Sequence, residues 1–140
     1  MVPHYYRADY RVVARLIGAN LNLVGDQLFT NEISDADDPV YPGAGNFMVD
    51  QVIVINSNIN ITTATAKVYT APAAGGLDLL HVPLSGSLVF GGASRNYYEN
   101  TAFNALLNSP TLYLNVDTPE GVAATCDVYI YGWTIPYRPI

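Results

Sequence analysis

Residues 111–135 constrain the fold most, because they contain two successive runs with strict strand alternation. In the first run, leucine and valine side chains at 112, 114 and 116 alternate with tyrosine, asparagine and aspartate, which is the period of a half-buried strand. The second run, 125–133, has an aliphatic face and an aromatic face. The aliphatic face holds Cys126, Val128 and Ile130, and the opposite face holds Thr125, Asp127, Tyr129, Tyr131 and Trp133.

Between the two runs lies Thr118-Pro119-Glu120-Gly121, which has the chemistry of a turn. Proline fixes φ at the second position of a turn, and glycine suits the fourth. We therefore expect the two runs to pair with each other as the longest hairpin of the chain.

The rest of the sequence repeats this pattern of short apolar runs separated by turn residues. Strands at a spacing of 8 to 12 residues with turns between them are typical of a β-sandwich. We expect an all-β fold of about eight antiparallel strands in one domain, residues 11–140, preceded by an N-terminal arm, residues 1–10. The expected strands are 11–17, 20–30 with a break at Gly25-Asp26, 48–56, 62–71, 77–81, 84–90, 112–117 and 125–133.

One segment allows two structures, and two others have patterns of their own. Residues 5–16 could form a helix with Arg7, Arg11 and Arg15 along one face, but β-branched residues favour a strand over 11–17, with Val12, Ala14 and Leu16 on one face.

Residues 48–56 are apolar on both faces, which predicts a strand in the middle of a sheet. One face would hold Val49, Ile53 and Ile55, and the other Met48, Val52 and Val54. Residues 101–108 could add one or two helical turns that close the end of the sandwich.

Charge is scarce and acidic. Only 13% of the 140 residues are charged, and the net charge is −6 with Lys67 as the single lysine. A surface so poor in charge usually meets a partner, while an acidic chain is a poor candidate for neutralising nucleic-acid phosphates. We find no signal peptide and no apolar run long enough to span a membrane, and one cysteine allows no internal disulfide. We expect no nucleic-acid or membrane partner, and synthesis in a reducing cytoplasm.

No combination of residues predicts catalysis, a cofactor or a metal site. His4 and His81 have no partner at ligand spacing. The acidic loop at Asp35, Asp37 and Asp38 could hold calcium, but it lacks the later glutamate and fixed glycine of an EF-hand, so a solvated loop is favoured. Cys126 alternates with core positions and is most simply a small core residue.

The positive signal is aromatic. Eleven tyrosines stand against four phenylalanines, and tyrosine and tryptophan are enriched at the centres of interfaces. These side chains could instead cover the second sheet of the sandwich. For the termini, our hypothesis is a contact surface. For the last strand, we keep open both the contact surface and the covering of the second sheet. The candidate interface residues are Tyr5, Tyr6, Arg7, Tyr129, Tyr131, Trp133, Tyr137 and Arg138.

Three stretches carry a family resemblance: GANLNLVGDQLFT (18–30), VDQVIVINSNINITTATAKVYTAP (49–72) and LYLNVDTPEGVAATCDVYIYG (112–132). Together they resemble the capsid decoration, or cement, proteins of tailed bacteriophages. The resemblance implies a jelly-roll sandwich, often a homotrimer, that binds the major capsid protein on the outside of the virion and ties capsomers together. Residues 1–10 and the tail WTIPYRPI (133–140) depart from that family pattern.

Two other functions stay open. A carbohydrate- or receptor-binding jelly roll of a phage particle could use Trp133 and tyrosines to stack on sugars. A sandwich hydrolase is less favoured, because no catalytic motif is recognisable in the sequence. Co-purification with intact particles would separate the cement function from the carbohydrate function.

Overall fold

The computed structural model describes residues 9–32, 45–80, 88–90, 98–101, 106–107 and 111–136. These residues form strands, turns and extended segments and contain no helix, which confirms the all-β prediction. The strands are β1 (Asp9–Asn20), β2 (Gly25–Leu28), β3 (Thr30–Asn31), β4 (Gly45–Ile55), β5 (Thr65–Ala71), β6 (Gly75–Asp78), β7 (Tyr98–Thr101), β8 (Leu106–Leu107), β9 (Tyr113–Thr118) and β10 (Thr125–Pro136).

The strands form two antiparallel sheets with jelly-roll order. Sheet A has the order β3-β1-β10-β4-β7, with the short β8 also paired to β4, and sheet B has the order β2-β9-β5-β6. Without the two-residue strands β3 and β8, the remaining strands number eight within the described ranges. Counted along the chain they read 1-8-3-6 in sheet A and 2-7-4-5 in sheet B, so each strand faces its sequence neighbour across the sandwich. This is the double Greek key of a jelly roll.

The core lies between the sheets and comes from the inward face of every long strand. Cys126, Val128 and Ile130 of β10 are buried, as the alternation predicted. Leu114 and Val116 of β9 face them from sheet B within the same hydrophobic cluster. On β5, Ala66 and Val68 are buried, and Ala64 is buried just before the strand begins.

The expected hairpin of β9 and β10 is wrong, because the two strands lie in different sheets. β9 pairs with β2 and β5, whereas β10 pairs with β1 and β4. Backbone hydrogen bonds instead join the segment between β9 and β10 to the turn at 21–24. Leu21 N–H donates to the Ala124 carbonyl at 2.9 Å, and Glu120 N–H donates to the Leu21 carbonyl at 3.0 Å. Two strands that bury matching faces satisfy the same alternation whether they pair side by side or face each other across a core.

The N-terminal prediction needs three corrections. A strand forms instead of a helix, but β1 begins at Asp9, so the predicted arm boundary at residue 10 falls two residues inside it. The break expected at Gly25-Asp26 lies earlier, at 21–24, and Gly25 with φ +122° begins β2. The pairing of β1 with β10 shifts between Val12 and Ala14, and Val13 is buried beside Ala14. Val12 pairs with Tyr131 on the opposite face.

β4 lies between β10 and β7, which confirms its predicted central position. The prediction of its two faces is wrong at Val49, which is buried with Val52 and Val54, and at Met48, which pairs with Trp133 on the outer face. Tyr131 pairs with Gln51 while the next residue, Gly132, pairs with Val49, so Asp50 is an extra residue in a β-bulge. A bulge inverts the alternation, and Val49 is therefore buried together with Val52 and Val54.

Two further expectations are wrong over the described residues. Residues 88–90, the end of the expected strand 84–90, are not part of a strand, although Leu88 N–H donates to the Ala66 carbonyl of β5 at 2.7 Å, and 81–87 lie outside the described residues. The helical turns expected over 101–108 are contradicted at Thr101, which ends β7, and at Leu106–Leu107, which pair with β4 as β8. Residues 102–105 and 108 lie outside the described residues. The strand expected at 77–81 is β6, which begins and ends earlier.

Candidate functional site

The outer face of sheet A, the face turned away from the core, carries the predicted aromatic side of β10. Tyr129 and Tyr131 are half-buried, and Trp133 is exposed. β10 is paired on both sides, by β1 and β4, so these side chains sit at the middle of the sheet. Five other predicted interface residues lie outside the described residues: Tyr5, Tyr6, Arg7, Tyr137 and Arg138.

Three rings meet on this face and form what we call the aromatic cluster: Tyr10, Tyr131 and Trp133. Tyr10 on β1 lies directly opposite Trp133 on β10 in the strand register. The Tyr10 and Trp133 ring centroids are 4.8 Å apart in an edge-to-face arrangement, and the Tyr10 and Tyr131 centroids are 6.1 Å apart and stacked. Both geometries are favourable for aromatic pairs. Tyr10 and Trp133 each keep 42% of their surface exposed.

Asp50 completes the cluster from the neighbouring strand β4. The Tyr10 hydroxyl donates a 2.9 Å hydrogen bond to Oδ2 of Asp50. Asp50 reaches this position because it is the extra residue of the β4 bulge; in a regular strand its neighbours' alternation would turn it toward the core. Strand alternation alone gave no sign of this contact.

The Tyr10 hydroxyl lies in a negative environment. Burial, the hydrogen bond to Asp50 and the charges of Asp50 and Glu99 together raise the pKa of Tyr10 to about 12. Glu99 on β7 pairs with Ile53 of β4. Tyr10 is therefore a neutral phenol at physiological pH, and it acts as a hydrogen-bond donor to the Asp50 carboxylate.

The three basic side chains of the described residues, Arg11, Arg15 and Lys67, each have an acidic or carbonyl partner other than Asp50. The Nε of Arg15 lies 2.7 Å from a carboxylate oxygen of Glu32. Arg11 donates a 2.9 Å hydrogen bond to the backbone carbonyl of Glu32. Lys67, on sheet B, lies 3.5 Å from Asp78. Within the described part of the chain, no basic side chain forms an ion pair with Asp50.

Apolar side chains extend the face beyond the aromatic cluster. Met48 pairs in register with Trp133, Ile53 with Tyr129, and Ile55 with Asp127. These three side chains are half-buried on the outer side of the sheet. The outer face of sheet A thus presents aromatic and aliphatic side chains together with polar ones, among them Arg15, which pairs with Tyr129, and Gln51, which pairs with Tyr131.

Groups that could perform chemistry do not converge in the described ranges. Cys126 is buried in the core as predicted, and burial, with a smaller contribution from the Asp127 charge, raises the pKa of its thiol to about 12, so it is not a thiolate at neutral pH. No group of three or more histidine, cysteine or acidic side chains with the geometry to hold a metal occurs among the residues described. His4, His81 and the acidic loop Asp35, Asp37 and Asp38 lie outside them.

Glu120 is a buried polar residue that the sequence did not single out. Its side chain is almost fully buried, and its two carboxylate oxygens accept backbone N–H groups of Thr62, Thr63 and Ala64 at 2.7 to 3.0 Å, with the Thr62 hydroxyl as a further donor at 3.2 Å. Burial acts to raise the pKa of Glu120, but these hydrogen bonds outweigh it and hold the pKa below its usual value. Glu120 fixes the connection before β5 onto the connection before β10.

A second exposed apolar feature lies at the end of the sandwich formed by these connections. Leu23 and Val24 of the 21–24 turn and Val122 of the 119–124 connection are exposed. The two segments are held together, because Gly121 N–H donates to the Asn22 side chain at 2.8 Å. This tip is apolar and carries no charged residue of its own apart from the buried Glu120.

The fold and this face define a jelly-roll β-sandwich with a partly exposed aromatic face on one sheet. Comparison with models of protein families, with curated proteins and with solved structures yields no match for the chain. Among the described residues, no helix is long and apolar enough to cross a membrane.

Proposed function

We propose that the chain is a structural protein of a tailed-bacteriophage virion, a decoration or cement protein that binds the major capsid protein on the outside of the assembled capsid. It acts as a homotrimer, is made in the host cytoplasm and performs no catalysis. The partly exposed aromatic face of sheet A carries the proposal, together with the resemblance of residues 18–30, 49–72 and 112–132 to that family.

Docking accounts for the surface chemistry of this face. Tyr10, Tyr131 and Trp133 bring large, rigid contact area to the centre of the sheet, and such residues dominate the binding energy of protein interfaces. A protein that needs only to be soluble would keep such a surface small and interrupted by charge. The low charged fraction of 13% over the whole sequence agrees with a surface meant for contact.

Rigidity supports the same function. A cement protein stabilises a capsid because it binds the assembled form and not the separate subunits, so its binding free energy adds to the stability of the assembly. A packed hydrophobic core, together with the hydrogen bonds of Glu120 to Thr63 and Ala64, would hold the docking face in a fixed shape for such binding.

Carbohydrate binding is the second candidate, and one observation favours it. An exposed tryptophan with a carboxylate and an amide on the adjacent strand, here Trp133 with Asp50 and Gln51, is a combination that can stack on a sugar ring and bind its hydroxyl groups. In this function the chain would be a receptor-binding module of the same particle.

Binding to particles separates the two candidates. The full chain is mixed with capsids of the phage whose genome encodes it, and bound protein is measured after sedimentation. We expect saturable binding, loss of binding in Trp133→Ser, and unchanged binding in the control Leu28→Ser, which alters a side chain that is 56% exposed on sheet B. Light scattering of the free chain should give about three times 15.2 kDa. If the chain binds glycans and does not bind capsids, the cement function is contradicted.

A further inference from the structure

The aromatic cluster has the composition of a cation site. Tyr10, Tyr131 and Trp133 offer the negative faces of three π systems, and such faces attract ammonium and guanidinium groups within about 6 Å. The Asp50 carboxylate lies at the edge of the same cluster, where Tyr10 is its hydrogen-bond donor. A neutral phenol does not compensate the charge of a carboxylate, so the Tyr10 hydrogen bond leaves Asp50 able to attract a cation.

The charge distribution around the cluster points the same way. Glu99 lies on the same side of the sheet, and its charge and that of Asp50 both act on the Tyr10 hydroxyl. The nearest basic residues along β1, Arg11 and Arg15, are both engaged by Glu32 at the β3 edge. Among the described residues, no basic side chain therefore forms an ion pair with Asp50 beside the aromatic cluster.

We propose that Tyr10, Tyr131, Trp133 and Asp50 form a binding site for a cationic side chain of the partner protein, with arginine preferred over lysine. A guanidinium group is planar, stacks on aromatic rings and still donates hydrogen bonds from its edge, whereas an ammonium group does so less well. The arginine stacks on the rings while its edge donates to the oxygen of Asp50 that Tyr10 does not occupy. The inference deepens the proposed docking function and rests on it for the identity of the protein that supplies the cation.

The single tryptophan of the chain makes the test direct, because Trp133 fluorescence reports on this cluster alone. The full chain is titrated with N-acetyl-argininamide, with the lysine analogue, and with the citrulline analogue, which has nearly the shape of arginine but no charge. We expect a saturable change with arginine, a weaker one with lysine and none with citrulline. The response should weaken as salt is raised, since the site is partly exposed.

Asp50→Asn removes the charge but keeps an oxygen that can accept the Tyr10 hydrogen bond, and we expect it to weaken arginine binding roughly tenfold. The matched control is Asp117→Asn, which removes an exposed carboxylate from β9 on the other sheet and should leave binding unchanged. An equal response to citrulline and arginine, or no response to arginine, would overturn the site. A response to a neutral oligosaccharide such as maltohexaose, without one to arginine, would replace it with a sugar site.

Particle binding distinguishes this site from the proposed function. A chain that binds the arginine probe but not capsids supports the site and contradicts the cement function. A chain that binds capsids equally well with aspartate or asparagine at position 50, and shows no arginine response, supports the cement function and overturns the site.

Discussion

Single residues of the sandwich are buried for two different reasons. The burial of Cys126, Val128 and Ile130 follows from alternation, because a side chain's face is set by its parity along a strand. Glu120 is different. In the sequence it is the third residue of a Pro-containing turn, and only the folded chain brings the amides of 62–64, more than fifty residues away, onto its carboxylate. Such a contact has no local pattern.

Glu120 gives the first prediction. Glu120→Gln should lower the free energy of unfolding by about 2 to 4 kcal/mol, because the new NH₂ group faces N–H donors and cannot accept their hydrogen bonds. Glu120→Ala should cost a similar amount. Urea unfolding at pH 7 measures the loss, and Asp117→Asn, an exposed change on β9, should stay within about 0.5 kcal/mol of the wild type.

The same carboxylate makes stability depend on pH. Because the pKa of Glu120 is lowered in the folded state, its contribution is fully present above the unfolded value of about 4.3 and is lost as the pH falls through the folded value. The difference in free energy of unfolding between the wild type and Glu120→Gln should therefore become smaller on acidification below about pH 4. A gap that stays constant down to pH 2.5 would show that the Glu120 hydrogen bonds do not depend on its charge.

Cys126 gives the second prediction, at the same scale. Cys126→Ala should fold and bind particles normally and lose at most about 1 to 2 kcal/mol, because it leaves only a small cavity in the core. Thermal melting and the sedimentation assay measure the two effects. Normal folding with loss of particle binding would mean that the thiol has a function that its burial does not suggest.

At the scale of strands, alternation predicted most of the elements but not their partners. The runs at 48–56, 62–71, 112–117 and 125–133 all contain strands, since alternation and β-branched residues are local properties. Pairing is not local. The alternation of β9 and β10 predicts a hairpin, whereas the two strands lie in opposite sheets. The bulges at Val13 and Asp50 invert which side chains face the core, and no count of alternating residues could show this.

The β4 bulge depends on a single glycine, which gives the third prediction. Gly132 pairs with Val49 at the register shift, and a Cβ on residue 132 would overlap the carbonyl oxygen of Met48 and lie 2.9 Å from its carbonyl carbon. Gly132→Ala should therefore separate β10 from β4 and cost about 3 kcal/mol. It should also displace Asp50 from Tyr10, seen as a change in Trp133 fluorescence.

Gly18 is the control for this substitution. It has a positive φ of +68°, but a Cβ there would meet no atom within 4 Å. Gly18→Ala should cost only the conformational strain, about 1 kcal/mol, and should leave Trp133 fluorescence unchanged. Equal losses in the two variants would show that close approach of the strands at Gly132 is not what constrains that position.

At the scale of the whole molecule, composition pointed to a contact surface without placing it. The low charged fraction and the eleven tyrosines are properties of the entire chain, and the jelly-roll order decides which of them share a face. Tyr10 was assigned to the arm and was not among the predicted interface residues. It joins Tyr131 and Trp133 only because β1 pairs with β10 in a register that no sequence pattern specifies.

Topology also brings the two ends of the sandwich together. Asp9, the first residue of β1, pairs with Thr134 near the end of β10, beside the pair of Tyr10 and Trp133. Residues 1–8 and 137–140 therefore continue from the edge of the aromatic cluster. They contain Tyr5, Tyr6, Arg7, Tyr137 and Arg138, and tyrosine next to arginine is a composition suited to docking.

The last prediction follows from this placement. A chain limited to residues 9–136 keeps every described strand, so it should fold and melt within about 2 °C of the full chain, a shift that corresponds to roughly 0.5 kcal/mol. It should bind capsids much more weakly, because the contacts of both terminal segments are lost. A full-length chain with serine at positions 5, 6, 7, 137 and 138 separates side-chain chemistry from chain length, and we expect it to bind as weakly as the shortened chain. Sedimentation with capsids measures binding, and thermal melting measures folding. If the shortened chain unfolds, the termini are part of the sandwich; if it binds capsids as well as the full chain, docking depends on the face of sheet A alone.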